Sequence, residues 1–154
     1  MEIRTETQTP AETGALGARL ATFLRPGDVI NLSGDLGAGK TRFVQGLAGG
    51  LGVAERITSP TFAIIKEYRG RTLPLYHFDV YRLDSVADLT NLGFEDYFYG
   101  DGVTVVEWGD KFKEIFPGSA LTLTLTRPDD SDTRLLVFDF KDVRWQAVVE
   151  AAQR

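Results

Sequence analysis

Residues 34 to 41 read Gly-Asp-Leu-Gly-Ala-Gly-Lys-Thr and fit the pattern G-x-x-x-x-G-K-[ST] at every defined position. That spacing suits one kind of chemistry. Successive backbone N–H groups must curl around phosphate oxygens, which needs glycines that take positive φ and let the main chain come close. A helix starting directly behind turns its dipole and its unpaired N–H groups on the same anion. Lys40 then brings a point charge to the β- and γ-phosphates, and the Thr41 hydroxyl can ligate Mg²⁺. The expected nucleotide contacts are Gly34, Asp35, Gly37, Ala38, Gly39, Lys40, Thr41 and Arg42.

Such a phosphate loop also needs an acid at the end of a neighbouring strand, to hold the metal and orient the attacking water. Val103-Thr104-Val105-Val106-Glu107 is a hydrophobic run ending in one, and Leu75-Tyr76-His77-Phe78-Asp79 is a second, less cleanly apolar run. In a parallel sheet both acids emerge at the carboxyl edge, where the phosphate loop also lies. Taken singly, each reads equally well as a solvated strand-end carboxylate. Beside a phosphate loop, Glu107 becomes the preferred metal ligand with Thr41, and Lys40, Asp79 and Glu107 form the catalytic set. His77 is the sole histidine and cannot build a metal cluster alone, so packing in the core or behind a ligand is expected. Ser59-Pro60-Thr61 reads first as a turn into the next strand, and second as a segment whose hydroxyls sense a γ-phosphate. For Trp108, stacking on a base or partner and burial in the core both stay open.

These residues need elements to hold them. Asp28–Ser33 reads as a buried strand feeding the loop, and Lys40–Leu51 as the helix behind it, closed by Gly49, Gly50 and Gly52. Leu16, Leu20, Phe23 and Leu24 recur at helical spacing within Thr13–Leu24. Phe62–Tyr68 and Thr72–Phe78 read as strands joined by a turn at residues 69–71, and Gly102–Val106 as a β-branched strand. Ser85–Asn91 and Glu95–Tyr99 are helical pieces, Ala120–Thr126 and Arg134–Phe140 form a hairpin, and Val143–Ala152 is a terminal helix. Alternating strands and helices predict an α/β fold: three layers, of the P-loop type, with a mostly parallel central sheet and a C-terminal antiparallel hairpin.

The totals narrow the function classes. With 154 residues and neither linker nor repeat, one domain over 1–154 is expected. No apolar run reaches the 18 residues of a membrane span, and residues 1–13 have no apolar stretch of the secretory kind. Cysteine is absent, which excludes disulfides and thiol chemistry and fits a cytoplasmic protein. The 17 basic residues are outnumbered by 22 acidic ones, so direct tight grip on a nucleic acid is not expected.

GDLGAGKT at 34–41, SPTF at 59–62 with Tyr68 downstream, HFDVYRL at 77–83, GFEDYF at 93–98 and VEW at 106–108 occur together. This combination resembles the TsaE (YjeE) family, the ATPase of bacterial tRNA threonylcarbamoyladenosine biosynthesis. The resemblance implies ATP as ligand, with Mg²⁺ held through the positions of Thr41 and Glu107. It implies a role for Asp79 near the metal or the hydrolytic water, and nucleotide-responsive behaviour of Ser59 and Thr61. It implies work with the TsaB–TsaD pair, in which TsaD modifies the adenosine beside the anticodon, so that tRNA is met only through partners. Arg42 and Ala63 depart from the pattern, since relatives usually carry small hydroxyl residues there. Beyond residue 110 the match is faint, and Arg134 receives no ligand role, although an arginine on that hairpin could approach the nucleotide. Two rivals remain: a small-metabolite kinase, for which Arg69, Arg71 and Arg82 would have to supply a lid, and a non-catalytic module gated by ATP.

Overall fold

A computed structural model describes residues 1–35 and 37–154; Leu36, inside the glycine motif, lies outside the described residues. The order is β1 (Glu2–Thr7), α1 (Pro10–Ala21), β2 (Val29–Gly34), α2 (Lys40–Gly50), β3 (Ile65–Tyr68), β4 (Leu75–Asp79), α3 (Val86–Asn91), α4 (Phe94–Phe98) and β5 (Val103–Glu107). A 3₁₀ segment (Gly109–Ile115), β6 (Leu121–Thr126), β7 (Arg134–Phe140) and α5 (Arg144–Ala152) complete it. The seven strands form one sheet in the order β1-β7-β6-β2-β5-β4-β3. Its four central strands run parallel, and β1, β7 and β3 join antiparallel.

Because side chains alternate across a strand, the sheet sorts its residues onto two faces. Ile30 and Leu32 of β2 join Leu16, Phe43, Leu47 and Trp145 under α1, α2 and α5. Val29 of the same strand, with Phe78 and Val106, packs against Leu89, Phe94, Phe98 and Phe112 from α3, α4 and the 3₁₀ segment. Three layers follow, as the alternation predicts.

Two start signals set α1. Thr9 caps it by accepting from Glu12 N at 3.1 Å, and Pro10 opens its first turn. The helix therefore starts ahead of the predicted Thr13 and ends at Ala21. The strand predicted over Phe62–Tyr68 is shorter than expected. Ile64 has φ +69 and donates its N–H to Pro60 O, a turn that ends the ladder before Ile65. The strand β1 was not predicted, because Ile3 is its only apolar residue. It forms because Thr7 is buried and the free edge of β7 supplies partners for its backbone.

The contact that aims α2 is made of glycine. A Cβ on Gly17 would lie 2.5 Å from Phe43 O, one on Gly50 2.5 Å from Ala18 O, and one on Gly46 would collide with Gly14 O. Backbone thus packs on backbone between α1 and α2, which fixes the position of the first α2 residue, Lys40. At the far end of α2, Gly49 has nothing within 4 Å of an added Cβ. We expect Gly46→Ala to cost about 3 kcal/mol through overpacking, and Gly49→Ala to gain about 0.5 kcal/mol from a less flexible unfolded chain. Urea unfolding of the two variants measures both; a neutral Gly46→Ala would contradict this packing.

Candidate functional site

The site lies at the carboxyl edge of the parallel strands. Asp79 and Glu107 are register partners at the tips of β4 and β5, and β2 runs beside β5 into the glycine-rich loop. Three glycines there have φ of +143 (Gly34), +82 (Gly37) and +102 (Gly39), conformations costly for any other residue. Gly34 also passes so close to Leu125 O that a side chain would clash, whereas Gly37 is open on its side-chain face. Ala38 is buried and gives its N–H to Asp35 O at 3.0 Å, closing the turn. Gly39 is the N-cap of α2 and offers no side chain to its first-turn N–H groups. Those donors, and the positive end of an 11-residue helix, therefore face outward at the loop.

Lys40 and Glu107 meet at this loop. Lys40 Nζ lies 3.8 Å from Glu107 Oε1, with side chains only 11% and 8% exposed. The other carboxylate oxygen, Oε2, is 2.6 Å from Nε2 of His77, which is also buried. The Lys40 ammonium lies 4.9 Å from the centre of the Trp108 ring. A cavity of about 610 Å³ opens here, within the usual ~300–1,000 Å³ of small-molecule sites. Gly37, Gly39, Lys40, Thr41, Asp79 and Glu107 line it, with Ser59, Thr61 and Trp108 at its side. Gly34 and Asp35 instead line a smaller hollow of about 280 Å³ that shares Lys40 and Trp108. Open backbone donors, an ammonium, a hydroxyl and two carboxylates fit a polyanion carrying a hard divalent cation.

Asp79 holds the adjoining segment. Its Oδ1 accepts from Tyr81 N at 3.0 Å and its Oδ2 from the Thr61 hydroxyl at 3.3 Å, while the Ser59 and Thr61 hydroxyls lie 2.8 Å apart. Residues 61–63 do form a turn, yet their hydroxyls are tied to a cavity carboxylate and Phe62 is 88% exposed beside them. Trp108 is 42% exposed with φ +66 and packs against Tyr81 at a tilt of 55°, ring centres 4.9 Å apart, so the core-packing reading of this residue is set aside. His77 is buried with its ring against the Glu107 carboxylate.

The arginines separate cleanly. Arg42 lines the cavity, and its stem runs along α1 at Gly14. Arg71 gives its backbone N–H to Gly52 O, at the opposite end of the sheet from Asp79, and Arg69 lies in the same connection. Arg82 lies over the Phe62 ring. Among the described residues none of these three lines the cavity, so a lid built from them is not in place. Arg134, assigned no ligand role although placed on a hairpin that could approach the nucleotide, reaches Gly37 O with its Nη2 at 3.4 Å from the start of β7. No local motif marks it; only the pairing of β6 with β2 brings the hairpin to the loop.

A parallel strand that turns through glycines into a helix opening on lysine, with acids on adjacent strand tips, defines an α/β protein with a site at its sheet edge. The model of the family "Threonylcarbamoyl adenosine biosynthesis protein TsaE" matches residues 7–136. A Bacillus subtilis protein named tRNA threonylcarbamoyladenosine biosynthesis protein TsaE is 42% identical, over 99% of this chain and 95% of its own. Its namesake from Treponema pallidum is also 42% identical, over 88% of this chain and 99% of its own. The crystal structure of Bacillus subtilis YdiB superposes with a TM-score of 0.84 at 41% identity, covering 100% of this chain and 95% of that one. The chain belongs to the TsaE family.

The hydroxyl chain from Ser59 through Thr61 to Asp79 gives the adjoining segment a measurable tether. Thr61→Val removes both hydrogen bonds at a net cost of about 1 kcal/mol. Amide exchange over residues 59–64 is then expected to quicken about fivefold, with the rest of the sheet unchanged. Unaltered exchange there would show that the segment is held by other contacts.

Proposed function

We propose that this chain binds ATP with Mg²⁺ and hydrolyses it to ADP and phosphate in support of the TsaB–TsaD pair. That pair makes N6-threonylcarbamoyladenosine next to the anticodon. The observation that carries the reading is the convergence of Lys40, Thr41 and Glu107 on one cavity at the mouth of the glycine-rich loop. Loop amides from Gly34, Asp35, Gly37 and Gly39, with those opening α2 at Lys40, Thr41 and Arg42, receive the phosphates, while the Ala38 N–H stays on Asp35 O and holds the loop's shape. Lys40 neutralises charge at the β- and γ-positions, where charge develops as the bond breaks. Thr41 and Glu107 supply oxygen ligands, and the metal, once bound, draws electron density from the phosphoryl oxygens. Asp79, one strand over, orients the water or the metal's own waters and reports on the segment holding Ser59 and Thr61.

Among the described residues the basic side chains lining the cavity are Lys40 and Arg42, and the Arg42 stem runs along α1. With the Arg42 stem along α1 and Arg134 held on Gly37 O, no arginine among the described residues is set on the transferred group, so hydrolysis by the free chain is slow and the partner complex speeds it. The setting is cytoplasmic, with tRNA held by the partners. No described helix is long and apolar enough to cross a membrane, and the acidic balance of charge suits a protein that leaves RNA to others.

A second reading draws on the tether between Asp79 and Thr61. ATP binding alone would order residues 59–62 for docking, without hydrolysis. Glu107→Gln and a non-hydrolysable analogue would preserve cellular function on that reading and abolish it on the first.

Calorimetry and phosphate release test the proposal. Lys40→Ala is expected to weaken Mg·ATP binding about 10- to 100-fold, the worth of a lost charged hydrogen bond. Glu107→Gln should keep nucleotide binding and slow phosphate release about a hundredfold. Addition of TsaB–TsaD should accelerate release by the parent chain. Release that is no faster with the partners than without them overturns the partnership, and absence of binding overturns the ATP reading.

A further inference from the structure

The two oxygens of Glu107 are not equivalent. Oε2 sits 2.6 Å from His77 Nε2, a full hydrogen bond, while Oε1 faces Lys40 Nζ at 3.8 Å, too far for one. His77 lies on β4 with Leu75 and Asp79 on the same face of the strand, and its register partner on β5 is Val105, two residues before Glu107. The imidazole therefore reaches along the sheet to the carboxylate from below the cavity, and is itself sealed from solvent at 1% exposure. Its second nitrogen, Nδ1, is buried and has no hydrogen-bond partner among the described residues. A proton on Nδ1 would be a buried donor without an acceptor, which folded proteins avoid. The ring's single proton belongs on Nε2, pointing at Oε2.

We propose that His77 is a positioning residue for Glu107: its Nε2–H occupies Oε2 and leaves Oε1 as the one oxygen presented to the cation side of the cavity. The inference rests on the Mg·ATP reading of the site and adds a residue to it. A strand-end carboxylate is otherwise free to rotate about its last bond, offering either oxygen or both. Held on one side by a rigid ring anchored in a neighbouring strand, it can present only the other. A donor behind a ligand fixes the ligand's orientation, and its loss typically weakens metal binding ~10- to 100-fold. The same contact ties the tips of β4 and β5 together beneath Asp79, where Val80 N also donates to Glu107 O at 3.2 Å.

Glutamine and asparagine separate positioning from simple packing. In His77→Gln the side-chain amide nitrogen falls at the place of Nε2 and can still donate to Oε2; in His77→Asn it falls short, at the place of Nδ1. Mn²⁺ binding is read by electron paramagnetic resonance in the presence of the β,γ-imido analogue of ATP, and analogue binding without metal by calorimetry. His77→Asn is expected to lose about tenfold in Mn²⁺ affinity while His77→Gln stays close to the parent. Metal-free analogue affinity should match in all three, whereas His77→Asn should melt somewhat lower than the other two, because it leaves a buried carboxylate oxygen without its donor. Equal Mn²⁺ affinity in parent and His77→Asn overturns the proposal, as does an equal loss in both variants. A measurement on the parent does not depend on either variant folding. The chain has one histidine, so ¹⁵N-histidine labelling gives a single ring in the NMR spectrum. A protonated Nε2 beside a bare Nδ1, perturbed by Glu107→Gln, is the expected signature; a proton on Nδ1 or an averaged ring overturns the contact. Should the parent bind neither analogue nor Mn²⁺, the nucleotide reading falls, and the ring's tautomer still decides whether His77 holds Glu107.

Discussion

A lysine ammonium and a glutamate carboxylate lie within 4 Å of each other, both nearly removed from water, at the open edge of a parallel sheet. Burying two charges costs several kcal/mol per ion after relaxation, and their attraction repays this only where geometry is good and the remaining lone pairs are satisfied. Folding alone gives little reason to keep such a pair, because apolar residues of the same size would do as well. Its presence explains much of what surrounds it. The His77 ring behind Glu107 supplies the hydrogen bond that a buried carboxylate requires. The Trp108 face beside Lys40 gives the ammonium a polarisable neighbour in place of water.

Holding those groups places demands on distant parts of the chain. Lys40 is the first residue of α2, so its position depends on how α2 is seated, and that is set by glycine-to-backbone contact with α1. The start of β2, which aims the loop, is anchored from the other end of the chain. Arg144 grips Asp28 with its two terminal guanidinium nitrogens, at 2.6 and 2.8 Å, and donates to Phe23 O. Trp145, fully buried, donates from its indole to Ser119 O at 2.7 Å. The terminal helix is therefore a clamp on the strand that delivers the glycine-rich loop, although it lies far from the site itself.

On the other side of the site, a string of short polar contacts replaces packing. Asp79 gathers Thr61 and Tyr81, and Lys111 binds the carbonyls of Tyr81 and Leu83 at 2.6 and 2.7 Å. Hydrogen bonds at the rim are individually weak and exchange readily with water, whereas the apolar cores beneath do not. The molecule thus has a rigid floor of parallel strands and a wall that can be altered by changing one carboxylate's surroundings. Exposed Phe62 and half-exposed Tyr81 and Trp108 sit on that wall.

Much of this was legible in the residues themselves. The glycine-lysine-threonine spacing, the apolar strands ending in Asp79 and Glu107, and the helix behind the loop are local signals: positive φ, period-two burial and a helix start each depend on a few neighbouring side chains. Family membership was legible for the same reason, since its motifs are short and ordered. The sheet order was not. Strand β1 carries one apolar residue and exists because β7 has an edge to fill. Arg134 reaches the glycine-rich loop because β6 pairs with β2 across 91 residues of sequence, as Ile30 does with Leu121. Which oxygen of Glu107 faces Lys40, and which His77 takes, depends on the register of three strands at once. Local chemistry could name the groups; only the long-range pairing of backbones could decide which atoms meet, because that energy belongs to no single segment.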